Sequence, residues 1–148
     1  MLKITEKVEG DCAFTLSLTL PFEQRQKARL HTALDDGQEA GLFLPRGIIL
    51  RDGDKLKAES GEIIKIISAN EEVSTATTKD SLLLMRACYH LGNRHVPLEV
   101  QANYLRYQHD HVLDDMVKLL GLNVIKESAP FEPESGAYAH SHHHHNHG

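Results

Sequence analysis

The sequence predicts an α+β fold in two domains with a tail. Residues 1–70 form a small all-β barrel or sandwich, residues 71–128 a ferredoxin-like βαββαβ domain, and residues 129–148 a disordered, histidine-rich C-terminal tail. Three observations lead there. The first half alternates apolar and polar residues with period two and carries turn signals every eight to twelve residues, the pattern of short, half-buried strands. After Asn70 two stripes of helical spacing appear between short strand-like runs, giving the order of the split βαβ unit. From Glu127 onward Pro, Gly, Ser, Glu and His dominate, a composition that cannot bury enough apolar surface to order itself. At 148 residues and 41% hydrophobic content, the chain has material for a core in each domain.

The elements follow in order. Leu2 to Val8 reads as a strand. In Ala13 to Leu20 the residues Phe14, Leu16, Leu18 and Leu20 alternate with Thr15, Ser17 and Thr19, a strand with one apolar face. Arg25 to Leu34 continues as a charged strand that ends at Asp35-Asp36-Gly37, where the glycine supplies the left-handed residue of a hairpin turn, and Gly41 to Leu44 returns. Pro45-Arg46-Gly47 and Arg51-Asp52-Gly53-Asp54 are turns before strands at Leu56 to Ala58 and Ile63 to Ser68. In the second half Glu72 to Thr77 is a strand. Lys79 to Leu91 is a helix capped by Thr78, stopped at Gly92 and striped by Leu84, Ala87, Cys88 and Leu91. His95 to Val100 and Asn103 to Gln108 are strands around a tight turn near Ala102. Val112 to Leu120 is a second helix with Leu113, Met116, Val117 and Leu120 inward; Asp110 caps it, Asp114 and Asp115 complement its dipole, and Gly121 ends it. Asn123 to Lys126 is the last strand.

Composition excludes several classes. A net charge of −5 and the lack of a Lys/Arg cluster argue against nucleic acid as a partner. No apolar signal core opens the chain and no run is long enough to cross a bilayer, so the expected location is the cytoplasm, away from membrane. Cys12 and Cys88 are far apart and lack a CxxC partner, which speaks against a thiolate zinc site; Cys88 shares the inner face of its helix. No HExxH, GxSxG, P-loop or dinucleotide fingerprint is present, so the expectation is a protein that is not an enzyme.

Histidine is the unusual quantity, with 11 residues, while Trp is absent. Neutral imidazole ligates nickel, zinc and copper near pH 7 and releases them on acidification. His109 and His111 are two apart where a strand ends, so they share a side if Asp110 is extended. With the hairpin centred on Ala102, His95 would stand opposite His109, about 5 Å away across the strands, within reach of one ion. That register is an assumption, and a slip of one residue would turn His95 to the other face. His31 and His90 read as surface residues. The tail carries His140, His142, His143, His144, His145 and His147; interrupted by Ser141 and Asn146, it reads as a native metal-binding segment in preference to an expression tag. The 14 residues from Lys126 to His140 span roughly 20 Å on average and up to about 45 Å extended, so a tail histidine can complete a sphere begun on the domain.

Longer motifs carry a resemblance. Leu91-Gly92-Asn93-Arg94-His95-Val96-Pro97-Leu98, Asp110-His111-Val112-Leu113 and Ala129-Pro130-Phe131-Glu132-Pro133-Glu134-Ser135-Gly136-Ala137-Tyr138, with Leu44-Pro45-Arg46-Gly47 and Leu50-Arg51-Asp52-Gly53-Asp54 upstream, resemble the UreE family of urease accessory proteins. The resemblance implies a cytoplasmic nickel metallochaperone that delivers Ni²⁺ for urease active-site assembly and also admits Zn²⁺ or Cu²⁺. It implies a homodimer whose two copies of His95 share one ion, with His109 and His111 as flanking ligands and the tail histidines as mobile ones. It further implies an N-terminal domain that binds peptides or partners, and as partners the urease apoprotein complex and an accessory GTPase. Two other readings of the residues stay open: a metal-dependent hydrolase using His95, His109 and His111 around an open water position, and a peptide-binding module with an incidental tail.

Overall fold

A computed structural model describes residues 1–136 and divides the chain after Ala69 into two compact units. The first unit is a six-stranded mixed sheet of β1 (Leu2–Val8), β2 (Leu16–Leu20), β3 (Arg29–Ala33), β4 (Glu39–Phe43), β5 (Lys55–Ala58) and β6 (Ile63–Ser68), in the order β2-β6-β5-β1-β4-β3. β1 runs parallel to β4 and β2 parallel to β6, and the remaining pairs are antiparallel. Alternate residues of these strands, among them Ile4, Leu18, Leu42, Leu56, Ile64 and Ile66, are fully buried in one core. Each such side chain contributes about 1.5–3 kcal/mol.

The two edges of this sheet, β2 and β3, are joined by one side chain. Asp35, just past β3, accepts from the Ser17 hydroxyl (2.7 Å), the Thr19 backbone N–H (3.0 Å) and the Thr19 hydroxyl (2.8 Å) of β2. Its own N–H donates to Ser17 O at 3.0 Å. The sheet is thereby nearly closed, and two edges that would otherwise present unpaired backbone groups are drawn together.

Two expectations for this unit are corrected. The strand expected over Arg25 to Leu34 begins only at Arg29, and Arg25 ends a short helix, α1 (Phe22–Arg25), because Pro21 O accepts from Gln24 N and Arg25 N and turns the chain. Arg25 is fully buried, its Nε donating to Leu20 O (3.1 Å) and an Nη to Leu50 O (2.9 Å), so the charged residue expected to open a strand serves as an interior hydrogen-bond hub. Phe14 lies outside the core: β2 begins pairing only at Leu16, and the ring stands exposed beneath the ammonium groups of Lys55 and Lys65.

The second unit contains β7 (Asn70–Thr77), α2 (Ser81–Asn93), β8 (Glu99–Val100), β9 (Tyr104–Gln108), α3 (His111–Leu119) and β10 (Asn123–Pro130), so the element order is βαββαβ. Its antiparallel sheet runs β10-β7-β9-β8. Ala87 and Leu91 of α2 and Leu113 and Val117 of α3 pack with Ala76, Leu105 and Tyr107 of the sheet. Cys88 packs partly buried against the same core, and desolvation pushes its thiol upward from the usual range. The helix ends differ from expectation in detail. Asp80, and not Thr78, caps α2 by accepting from Leu82 and Leu83 N–H, since a carboxylate immediately before the first turn outcompetes a hydroxyl farther back. α2 also runs through Gly92 to Asn93.

The end of the described chain is the larger correction. Residues 129–134 were expected in a flexible tail, yet β10 continues to Pro130 and pairs with β7 throughout. Phe131 is then fully buried, Glu132 N–H donates to Glu99 Oε1 (2.9 Å), and Glu134 N–H to Leu98 O (2.8 Å). The chain therefore straps across the sheet from the β10 edge to the β8 edge. Arg106 lies beneath it, donating to Thr75 Oγ1 (2.9 Å) and Pro130 O (3.3 Å), with Glu99 and Glu127 at 3.9 and 3.4 Å. The six tail histidines lie outside the described residues.

Candidate metal centre

His95 is held by the way α2 ends. His95 N–H donates to Gly92 O (3.0 Å) and Val96 N–H to Leu91 O (3.3 Å), while His95 itself adopts φ 59°. These paired bonds around a left-handed residue are the Schellman ending, in which the left-handed position is usually glycine. α3 ends the same way with the usual residue: Gly121 has φ 108°, its N–H donates to Lys118 O (2.9 Å), and Leu122 N–H to Val117 O (3.3 Å). At α2 the glycine's place is taken by an exposed imidazole. His95 is the one described non-glycine residue with positive φ. Partly buried Val96 packs on the core just after it and fixes the turn.

The expected opposition of His95 and His109 is not formed. β8 is only two residues long, Glu99 pairs with Arg106 and Val100 with Leu105, and the hairpin centres between Ala102 and Asn103. His95 lies in the turn after α2, before the strand begins. Among the described residues no three His, Cys, Asp or Glu side chains converge to hold an ion, so a single chain does not assemble the three-histidine water site that the hydrolase reading needs.

His109 and His111 flank the junction of β9 and α3. Asp110 between them is extended (φ −156°, ψ 116°) and its carboxylate accepts from Val112 N–H (2.9 Å) and Leu113 N–H (3.2 Å), so it caps the helix as its position predicts. His111 is the exposed first residue of α3. His109 is tied down: its N–H donates to Glu72 O, and its Nδ1 lies 3.1 Å from Ser74 Oγ and 3.3 Å from Asp114 Oδ2. Asp114 Oδ1 in turn accepts from the Tyr107 hydroxyl at 2.8 Å. Burial first, and then the hydrogen bond to Asp114, push the Tyr107 hydroxyl well above its ordinary range. Expected from the sequence only to complement the helix dipole, Asp114 is buried against the sheet. Its inward position was legible, because it precedes Val117 by three and so shares the apolar stripe. His31 pairs loosely with Glu39 at 3.6 Å, and His90 stacks edge-on with Tyr89 at 5.3 Å, both at the surface.

With this geometry in hand, comparison with known proteins gives first the class: the chain is a urease accessory protein, a chaperone of urease maturation. Residues 6–69 match the family model for the UreE urease accessory protein N-terminal domain, and residues 71–148 the model for the C-terminal domain. The urease accessory protein UreE of Alkalilimnicola ehrlichii is 56% identical over 93% of this chain and 85% of its own length. That of Citrobacter koseri is 54% identical over 94% and 92%, and that of Proteus mirabilis 55% over 83% and 76%. The chain belongs to the UreE family. No helix among the described residues is long and apolar enough to cross a membrane.

Proposed function

We propose that this protein is a cytoplasmic nickel metallochaperone and no enzyme: a homodimer that binds Ni²⁺ through surface histidines and passes it to the urease apoprotein complex, directly or through the accessory GTPase. The observation that carries the reading is His95, an exposed imidazole placed at a left-handed helix ending where glycine would serve the fold better. A residue on a two-fold axis supplies two ligands to one ion, so two copies of His95 make a shared, solvent-facing site from one position per chain. A site of so few protein ligands, completed by mobile ones, releases its ion readily, which suits delivery. His109, His111 and the tail residues His140, His142, His143, His144, His145 and His147 serve as further ligands. In this reading the βαββαβ unit is the ferredoxin-like domain that carries metal and dimerises, and the first unit engages partners. Imidazole sites follow the affinity order in which copper exceeds nickel, so Zn²⁺ and Cu²⁺ also bind and supply in the cell sets the cargo.

Calorimetry tests this with Ni²⁺ and three proteins: the intact chain, a truncation after Ala139, and His95→Ala. The expected result is a stepwise loss of sites, the truncation removing the tail ions and His95→Ala the shared one. Unchanged stoichiometry and affinity in all three would sink the proposal.

A further inference from the structure

Beneath His109 the second unit buries a ring of polar groups that the packing of α3 does not require. Asp114 is 7% exposed, on the face of the helix that also presents Leu113 and Val117 to the sheet. An apolar residue there would avoid the cost of desolvating a carboxylate. Instead Asp114 touches Tyr107 through one oxygen and His109 through the other, at 2.8 and 3.3 Å. Ser74, paired with Tyr107 in the sheet, places its hydroxyl 3.1 Å from His109 Nδ1.

The carboxylate sets the protons in this ring. The Tyr107 O–H donates to one oxygen of Asp114, which offers only lone pairs. The other oxygen faces His109 Nδ1 at 3.3 Å, and a ring lone pair turned toward it would be repelled. The Ser74 hydroxyl at 3.1 Å can accept from Nδ1 as well as donate, so Nδ1 carries the ring proton. A neutral imidazole has one N–H, so Nε2 keeps its lone pair, and Nε2 has no partner among the described residues.

We infer that Asp114 is a positioning residue that, with Ser74 and Tyr107, locks His109 in the Nδ1–H tautomer and so makes Nε2 the nitrogen that takes the metal. Metal-ligating histidines are commonly oriented by a carboxylate on the other ring nitrogen, which fixes the tautomer and raises ligand basicity. The inference rests on the reading of His109 as a nickel ligand.

Long-range ¹H–¹⁵N NMR of the full, metal-free chain at about pH 8, where imidazole is neutral, reads the tautomer directly. The wild type is expected to show Nδ1–H. Asp114→Asn keeps the shape and still accepts from Tyr107, but it can set an amide N–H₂ against Nδ1, so the ring proton is expected to move to Nε2. Ni²⁺ affinity at this site should then fall about 10- to 100-fold, while His109→Ala abolishes the site. Tyr107→Phe, a second variant that keeps a ring in the core, removes the bond that holds Asp114 in place and should give a mixture of tautomers. A wild type in the Nε2–H form, or a tautomer indifferent to both substitutions, overturns the inference. So does a tautomer switch with unchanged Ni²⁺ affinity. The His109→Ala titration then separates the two failures: loss of a site there leaves His109 a ligand and removes only the role of Asp114, while no loss removes His109 from the metal reading as well.

Discussion

At the scale of the residue, His95 sets function against stability. An L-residue in the left-handed region costs about 1–2 kcal/mol, and glycine returns part of that gain through its greater freedom in the unfolded chain, about 0.5–1 kcal/mol. His95→Gly should therefore stabilise the protein by about 0.5–1 kcal/mol, raising Tm by roughly 2–4 °C while abolishing the proposed shared metal site. His95→Ala keeps the left-handed backbone demand and should give no such rise. Thermal unfolding of the two metal-free variants beside the wild type decides it, and equal melting temperatures for Gly and Ala would show that the φ of 59° carries no strain. The comparison with Gly121 at the end of α3 is internal to the molecule: among the described residues the same ending is built with a glycine at α3 and with an imidazole at α2.

At the scale of the element, the Asp35 clasp is what makes the first sheet more than a row of strands. Desolvation alone would raise its pKa, but the hydrogen bonds from Ser17 and Thr19 outweigh it and hold the group below its usual value of 3.8. A carboxylate depressed in the folded state stabilises at every pH above the unfolded value and loses that contribution as pH falls through the folded one. Asp35→Asn should thus cost about 1 kcal/mol near neutral pH, given the solvent-exposed setting. The gap from wild type should close only below about pH 3.8. Urea unfolding at pH 7, 5 and 3 measures it, and a gap independent of pH would assign the effect to shape instead of charge. Neither this clasp nor Arg25 was legible in the sequence, because both depend on contacts between residues far apart in the chain: Asp35 with Ser17 and Thr19, Arg25 with Leu50. What was legible is local. The alternation in Leu18 and Leu20, the turn at Gly37, the cap at Asp110 and the stop at Gly121 each follow from neighbouring residues and the period of their element. The site divides the same way. His95, His109 and His111 stood out by type and motif, and the inward side of Asp114 by its spacing from Val117, whereas the shortness of β8 that leaves His95 outside the strand, and the contacts of Asp114 with Tyr107 and His109, turned on tertiary packing.

At the scale of the whole molecule, the strap changes how far the tail must reach. Counted from Lys126, His140 is fourteen positions along the chain; counted from Glu134, whose N–H is bonded to Leu98 O, it is six. Leu98 is three residues beyond His95 in the chain, so the first tail histidine starts within about 20 Å of full extension from a point close to the proposed shared ion. The crossing itself spans three strand spacings, about 14 Å, in four residues, which obliges residues 130–134 to be nearly extended and explains the run Pro130-Phe131-Glu132-Pro133: two prolines stiffen it and one phenylalanine anchors it. If the tail histidines are ligands, as proposed, a short tether raises their effective concentration at His95, and that concentration falls roughly as the −3/2 power of tether length. Inserting eighteen Gly/Ser residues after Gly136 lengthens the span from six to twenty-four positions and should weaken any tail-dependent part of Ni²⁺ affinity at His95 about eightfold, with thermal stability unchanged. Deleting the tail after Gly136 should remove that part entirely. Titration of the three proteins with Ni²⁺ supplies the comparison. If the insertion leaves affinity at His95 untouched while the deletion lowers it, the tail acts at a distance from His95 and the strap has no role in delivering it; if neither changes it, the tail holds its own ions and His95 binds without help.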